Sequence, residues 1–168
     1  MNINLFIKEF NERTDKIQCI KEHIVEKYVP YEKKMAICKN IIESADYTPQ
    51  IDVIDKKYYC PNTPMRFVLF CMSLIDIYTD IELEKYNDSR DVMGGFNQLD
   101  SNGVFEIFFK ELDKEYNVMT TILQMMVDDC VNKENNLVSF FSSKIDSLKA
   151  LYDISLPYIS KQIGNKNS

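Results

Sequence analysis

Three carboxylates have a spacing that could support chemistry. Asp76, Asp80 and Glu84 (the acidic row) follow one another at four-residue intervals within the apolar stretch PMRFVLFCMSLIDIYTDIELE, residues 64–84. On a helix, this spacing places carboxylates ~6 Å apart along one line. Such a line could hold a divalent cation, contact a basic partner or face water.

A metal-dependent hydrolase is the weaker functional interpretation of the acidic row. Dinuclear sites in helical bundles add Glu-x-x-His pairs, which this sequence lacks. Like charges four residues apart cost only about a few tenths of a kcal/mol, so a solvated row is readily tolerated. Because a basic surface would relieve that repulsion, a partner-binding row is the stronger interpretation.

The chain has a single histidine, His23, and no motif that would make it catalytic. HExxH and GxSxG motifs are both absent. His23 is predicted to be a surface or boundary side chain beside the Ile20–Ile24 face of a helix. Gly94–Gly95 is not followed by the Lys-Ser/Thr pair of a phosphate-binding loop. We therefore predict a non-enzymatic protein without catalytic residues, cofactor site or metal site.

A second group of candidate contact residues lies in a later helix. Asp128 and Asp129 come near its end, and Met125 points away from its apolar face, which leaves a homo-oligomer contact open. The predicted partner-binding residues are Asp76, Asp80, Glu84, Met125, Asp128 and Asp129.

The charge distribution argues against nucleic acid and acidic membranes as partners. The net charge is −6, and residues 61–134 carry six basic and fourteen acidic side chains, a local charge of −8. Nucleic-acid binding needs clustered positive charge to displace counterions. The longest apolar run, FVLFCMSLI, is about half of a roughly 20-residue membrane span. We expect a soluble protein with a protein partner.

Composition favours helices. Hydrophobic residues make up 45% of the 168 residues, whereas glycine and proline number only four and five, too few for a many-stranded barrel or sandwich. The five cysteines are widely spaced without a CxxC pair, which is typical of a reducing, intracellular setting. We predict an all-α, single-domain bundle of about six to eight helices.

Periodicity and capping residues outline the organisation of this bundle. The predicted domain covers residues 1–163, with an N-terminal helical unit at 1–46, a connection at 47–62, a main bundle at 63–163 and a flexible tail at 164–168. The connection is either a short β-hairpin or an irregular loop, because Ile51 and Val53 alternate between prolines.

The central helix is predicted over about residues 63–86, with Thr63 as N-cap and Pro64 as its first residue. Arg66, Ser73 and the acidic row fall in a band about 80° wide, and nearly all of the remaining circumference is apolar. The acidic row would then form the solvent-exposed strip of this helix, and neighbouring helices would cover the rest of its surface.

The other helices are predicted from the same signals. Thr14 is the expected N-cap of a second helix, and Pro30 suits the first turn of a third. The side chains expected to turn inward in these two helices are Ile17, Ile20, Ile24 and Tyr28, and then Met35, Ile37, Cys38, Ile41 and Ile42. Further helices are expected before Gly103, over 104–112, over about 114–133, and from about residue 136 onward.

Two stretches of the sequence are similar to a group of known proteins: IYTDIELEKYNDSRDVMGGFNQLDSNGVFEIFFKEL and MTTILQMMVDDCVNKENNLVSFFSSKIDSL. They resemble small uncharacterised helical proteins of bacteriophages that infect low-GC Gram-positive bacteria. The resemblance implies a phage origin and includes no catalytic motif, so no residue role is transferred.

The resulting functional prediction is a phage protein that binds another protein, as a structural or accessory component of the virion. The alternative is an inhibitor of a host defence system or host enzyme that binds through an acidic surface. The expected location is the cytoplasm of the bacterial host or the virion.

Overall fold

The computed structural model describes residues 1–49, 57–83 and 89–133, and helices dominate these ranges. In chain order the elements are α1 (Ile3–Glu12), α2 (Lys16–His23), α3 (Tyr31–Ala45), β1 (Tyr47–Pro49), β2 (Lys57–Tyr59), α4 (Thr63–Tyr78), α5 (Ser89–Ser101), α6 (Val104–Glu111) and α7 (residues 113–133). The predicted all-α class is confirmed. The helix predicted from about residue 136 and the predicted tail lie outside the described residues.

The chain divides into two compact units, and the first, from Met1 to Val127, contains the core described here. The second unit begins at Asp128. The predicted domain boundary at residue 163 lies outside the described residues and stays a prediction.

Helix α4 is the centre of the first unit, as its composition predicts. It packs against α3 and α5 and buries seven side chains, including Phe70, Leu74 and Tyr78. Its start is well defined, because the Asn62 side chain accepts a hydrogen bond from the Met65 amide and Pro64 lies in the first turn. The capping residue is thus Asn62, one position before the predicted Thr63.

The end of α4 differs from the prediction, since the helix stops at Tyr78 and not near residue 86. Thr79 has an extended backbone and forms an antiparallel bridge with Ile24. Its hydroxyl donates to the Ile75 carbonyl at 2.6 Å and accepts from the Ile81 amide at 3.2 Å. Pairing with a distant segment therefore replaces the helical hydrogen bonds that the apolar pattern predicts.

The second and third helices exist as predicted, but their buried faces differ in part from the prediction. Asp15, not Thr14, caps α2, and its side chain accepts from the Gln18 amide. Helix α2 has only eight residues and buries Cys19, Ile20 and His23, whereas Ile17 and Tyr28 are exposed. In α3, Met35 is exposed and Lys34 is buried in its place.

The connection after α3 contains the short hairpin pairing that was one of two expected alternatives. Strands β1 and β2 are antiparallel, and Tyr47 pairs with Tyr59. The turn between them lies outside the described residues.

Asp46 joins this connection to α4. Its fully buried carboxylate accepts from the Asn62 amide at 2.8 Å and from the guanidinium of Arg66. Arg66 therefore forms an ion pair with Asp46 at the end of α3. The prediction that Arg66 belongs to a solvent-exposed band was wrong.

Candidate functional site

The acidic row does not form one line on one helix. Asp76 is exposed on α4, Asp80 lies beyond the C-cap Thr79, and Glu84 lies outside the described residues. Asp76 opens onto a polar surface cavity of about 400 Å³ whose lining includes Lys33, Asn40 and Ser73. The predicted regular spacing of the three carboxylates is wrong, because it required α4 to continue past Tyr78.

The remaining predicted contact residues lie on α7. Met125 is 60% exposed, as its predicted position away from the apolar face of the helix requires. Asp128 and Asp129 are both exposed. A role for these residues in partner binding stays a prediction.

His23 is placed differently from its prediction, because it is buried with only 8% of its surface exposed. It is the last residue of α2, and its ring lies perpendicular to the ring of Phe6 with centroids 5.1 Å apart. Its Nδ1 lies 2.8 Å from Asp80 Oδ1, and its carbonyl accepts from the Asp80 amide at 3.1 Å. The bend after α4 therefore places Asp80 in contact with the last residue of α2.

The other ring nitrogen of His23 has no hydrogen-bond partner although it is buried. Nε2 lies 3.6 Å from Glu9 Oε2, beyond normal hydrogen-bond length. Cys19 Sγ lies one helical turn before His23 on α2, and the ligand atoms of Glu9, Cys19 and His23 all lie within 4.8 Å of one another. Together with Asp80, these residues form the histidine cluster, and its first three members offer the oxygen, sulfur and nitrogen donors of a metal site.

The charges around the histidine cluster are set by Arg13. Its guanidinium lies 2.7 Å from Glu9 Oε1 and 3.0 Å from Glu22 Oε2. The hydrogen bond from Arg13 holds the pKa of the Glu9 carboxyl below its ordinary value, and the positive charge of Arg13 acts in the same direction. Glu9 is therefore ionised at neutral pH.

Cys19 is a poor nucleophile in this setting. Burial raises the pKa of its thiol, and the negative charge of Glu9 raises it further. Reactive cysteines show the opposite shift, because the thiolate is the attacking species. The neighbouring Cys19 and His23 therefore do not form an activated thiol.

A second buried ionic group, the lysine cluster, consists of Lys34, Tyr78 and Glu115. Lys34 Nζ lies 2.7 Å from Glu115 Oε2, and the Tyr78 hydroxyl donates to the same oxygen at 2.6 Å. The Val29 amide also donates to it at 3.3 Å. The lysine lies under the ring of Tyr28, with Nζ 5.0 Å from the ring centroid.

The pKa values in the lysine cluster follow from these contacts. Burial pushes the pKa of Glu115 upward, but the hydrogen bonds from Lys34, Tyr78 and the Val29 amide outweigh it and hold the pKa below its ordinary value. Burial and the bond to Glu115 raise the pKa of Tyr78 far above its ordinary value. The cluster is thus a neutral, hydrogen-bonded ion pair.

Sequence reasoning missed both clusters, although each left a partial signal. Lys34 is four residues before Cys38 and seven before Ile41, so it lies on the buried face of α3. Cys19 and His23 are four residues apart and share one face of α2. Glu9, Asp80 and Glu115, which complete the clusters, come from distant parts of the chain.

Four apolar side chains in the segment after α2 are exposed. They are Val25, Tyr28, Tyr31 and Met35 (the docking segment). Tyr28 also lines an open cavity of about 520 Å³, together with Lys21, Ile24, Lys27, Glu111, Leu112, Lys114 and Glu115. Exposed apolar groups beside a cavity lined by charged residues are common at protein-contact surfaces.

Comparisons with known proteins reveal no relationship: no family model matches the chain, and no curated protein or solved structure matches it. Among the helical residues described, no helix is long and apolar enough to cross a membrane.

Proposed function

We propose that this chain is a non-enzymatic bacteriophage protein that works by binding another protein, as a structural or accessory component of the virion. The observation that carries this proposal is the docking segment, where four apolar side chains are exposed within eleven residues. Exposed apolar groups favour association, because contact with a partner removes their surface from water.

The cavity beside Tyr28 suggests the chemistry of the partner. Lys21 pairs with Glu111 at 3.3 Å, and Glu115 is occupied by Lys34. Lys27 and Lys114 form no ion pair with any residue in the described ranges. Because the uncompensated charge in the cavity is positive, we infer that the partner presents an acidic segment with an apolar side chain.

The state of the titratable groups supports a non-enzymatic role. Cys19 has a raised thiol pKa, and the carboxylate of Glu115 is occupied by three hydrogen-bond donors. Catalytic groups instead have pKa values shifted toward their reactive form and are accessible to a substrate.

The alternative function is inhibition of a host defence system or host enzyme through an acidic surface. The exposure of Asp76, Asp128 and Asp129 favours it. In that case a basic host protein should bind in a salt-sensitive manner, and Asp76→Asn should weaken binding more than changes in the docking segment.

A crosslinking experiment in purified phage particles tests the main proposal. The photo-crosslinking amino acid p-benzoylphenylalanine replaces Tyr28 in one variant and Leu5, an exposed residue of α1, in the control. We expect the chain to be present in particles and the position-28 variant to crosslink to one particle protein, whereas the position-5 variant does not. Absence of the chain from particles, or equal crosslinking at both positions, contradicts the proposal.

Matched serine substitutions provide a second test. Val25 and Leu5 are each 59% exposed, so Val25→Ser and Leu5→Ser should leave folding almost unchanged. We expect only Val25→Ser to reduce incorporation into particles. Equal incorporation of the two variants contradicts a role for the docking segment.

A further inference from the structure

We propose that Glu9, Cys19 and His23 bind one transition-metal ion of the Zn²⁺ class, with Asp80 orienting the histidine. This inference goes beyond the proposed function and is independent of it. It rests on the mixed donor set and on the buried Nε2 of His23, which has no hydrogen-bond partner.

The distances between the donor atoms are close to those within a zinc site. Zinc binds histidine nitrogen and carboxylate oxygen at about 2.0–2.2 Å and thiolate sulfur at about 2.3 Å, so two ligand atoms in one site lie roughly 3.3–3.7 Å apart. Glu9 Oε2 and His23 Nε2 are already 3.6 Å apart. All three ligand atoms lie within 4.8 Å of one another. Side-chain shifts of about 1 Å would therefore bring them to the ligand–ligand distances of a zinc site.

The groups behind the donors hold them in place. Asp80 accepts the Nδ1 proton of His23 at 2.8 Å, which leaves Nε2 as the metal-binding nitrogen. A carboxylate in this position is the usual outer partner of a metal-bound histidine. Arg13 occupies only Oε1 of Glu9, so Oε2 stays available.

The donor types select the metal. Thiolate and imidazole favour Zn²⁺ and similar transition metals, whereas Mg²⁺ and Ca²⁺ prefer sites built only of oxygen. Binding breaks the S–H bond of Cys19, forms the metal–sulfur bond and releases the proton to solvent. The carboxylate and thiolate together balance the 2+ charge of the ion, and a water or an external ligand completes four coordination.

The competing arrangement is a protonated His23 between Asp80 and Glu9. In that arrangement Nε2–H would face Glu9 Oε2 at 3.6 Å, within ion-pair distance although longer than a normal hydrogen bond. A protonated ring would also repel a cation. Metal titration therefore distinguishes the two arrangements.

The test uses Co²⁺ and Zn²⁺ with the full chain under reducing conditions, in a Cys60→Ser background that removes an exposed thiol. We expect one Co²⁺ per chain and a thiolate-to-cobalt charge-transfer band. A hundredfold excess of Zn²⁺ over its Kd should raise the Tm by about 5–10 °C. The absence of both effects, or cobalt binding without the charge-transfer band, overturns the proposal.

Variants assign the ligands. Cys19→Ser should abolish the charge-transfer band, whereas Cys38→Ser, which changes an equally buried thiol outside the cluster, should retain it. Asp80→Asn should lower Zn²⁺ affinity about 10–100-fold. Survival of the band in Cys19→Ser overturns the proposal.

Glu9→Ala keeps the test decisive if Cys19→Ser does not fold, because Glu9 is partly exposed and its replacement leaves the buried core intact. This variant should bind Zn²⁺ at least tenfold more weakly than the parent chain. Unchanged affinity overturns the proposal.

Discussion

The histidine cluster and the lysine cluster each contain a buried titratable side chain beside an aromatic ring, but they differ in how completely that side chain is paired. In the lysine cluster, Glu115 Oε2 receives Lys34, Tyr78 and the Val29 amide. In the histidine cluster, Nδ1 of His23 is paired with Asp80 while Nε2 has no hydrogen-bond partner.

The difference separates a structural ion pair from a site with room for a ligand. Buried polar groups are normally hydrogen-bonded, because an unmatched group pays its full desolvation cost. The lysine cluster meets this requirement within the protein. In the histidine cluster Nε2 forms no hydrogen bond, and Glu9 Oε2 lies 3.6 Å from it.

The largest expected effect is on the lysine cluster. Lys34→Met leaves the buried Glu115 carboxylate without its cation and should destabilise the protein by about 3–5 kcal/mol. Urea unfolding measures this loss. The control is Lys39→Met, which removes an exposed i,i+4 pair with Glu43 and should cause no measurable change. Similar stabilities of the two variants would show that the lysine cluster does not hold the fold.

Removal of one hydrogen bond gives the next largest effect. Tyr78→Phe deletes the donor 2.6 Å from Glu115 and should cost about 1.5–3 kcal/mol, since hydrogen bonds to charged groups are strong. Tyr116→Phe is the control, because the Tyr116 hydroxyl makes no hydrogen bond with a described residue. If both variants unfold at the same urea concentration, the hydroxyl of Tyr78 contributes nothing to stability.

Acid should weaken the lysine cluster. The pKa of Glu115 is lower in the folded protein, so the unfolded chain takes up this proton first as the pH falls. The stabilisation is therefore present above the ordinary glutamate pKa, about 4.3, and is lost as the pH falls through the folded value. The stability difference between the parent chain and Glu115→Gln should shrink below about pH 4. A difference that is independent of pH contradicts this account.

The smallest stability effect is expected in the histidine cluster without metal. Asp80 is about half-exposed, so Asp80→Asn should change stability by less than about 1 kcal/mol. Asp76→Asn, an exposed carboxylate on α4, is the matched control. With Zn²⁺ present the two variants should diverge, and only Asp80→Asn should lose part of the Tm increase. Identical Zn²⁺ responses would contradict the orienting role of Asp80.

Much of the fold was predictable because its signals are local. Pro64 marks the first turn of α4, and Gly103, in the left-handed conformation with φ 72°, separates α5 from α6. The predicted range of α6 and the predicted start of α7 agree with the structure to within one residue. These boundaries depend on capping residues and periodicity, which a sequence displays directly.

The site was less predictable because it depends on contacts between distant residues. The end of α4 is set by the pairing of Thr79 with Ile24, 55 positions earlier, and this bend brings Asp80 to His23. The burial of Lys34 was not predicted because its partner, Glu115, lies far along the chain. No local pattern encodes such pairs.

The central claim is that Nε2 of His23 is free of a proton and able to bind a ligand. Because the chain has one histidine, a long-range ¹H–¹⁵N NMR spectrum of its imidazole reports on this residue alone. We expect a proton on Nδ1, none on Nε2, and a large change in the Nε2 chemical shift after one equivalent of Zn²⁺. A ring protonated on Nε2 whose spectrum is unchanged by Zn²⁺ would contradict it.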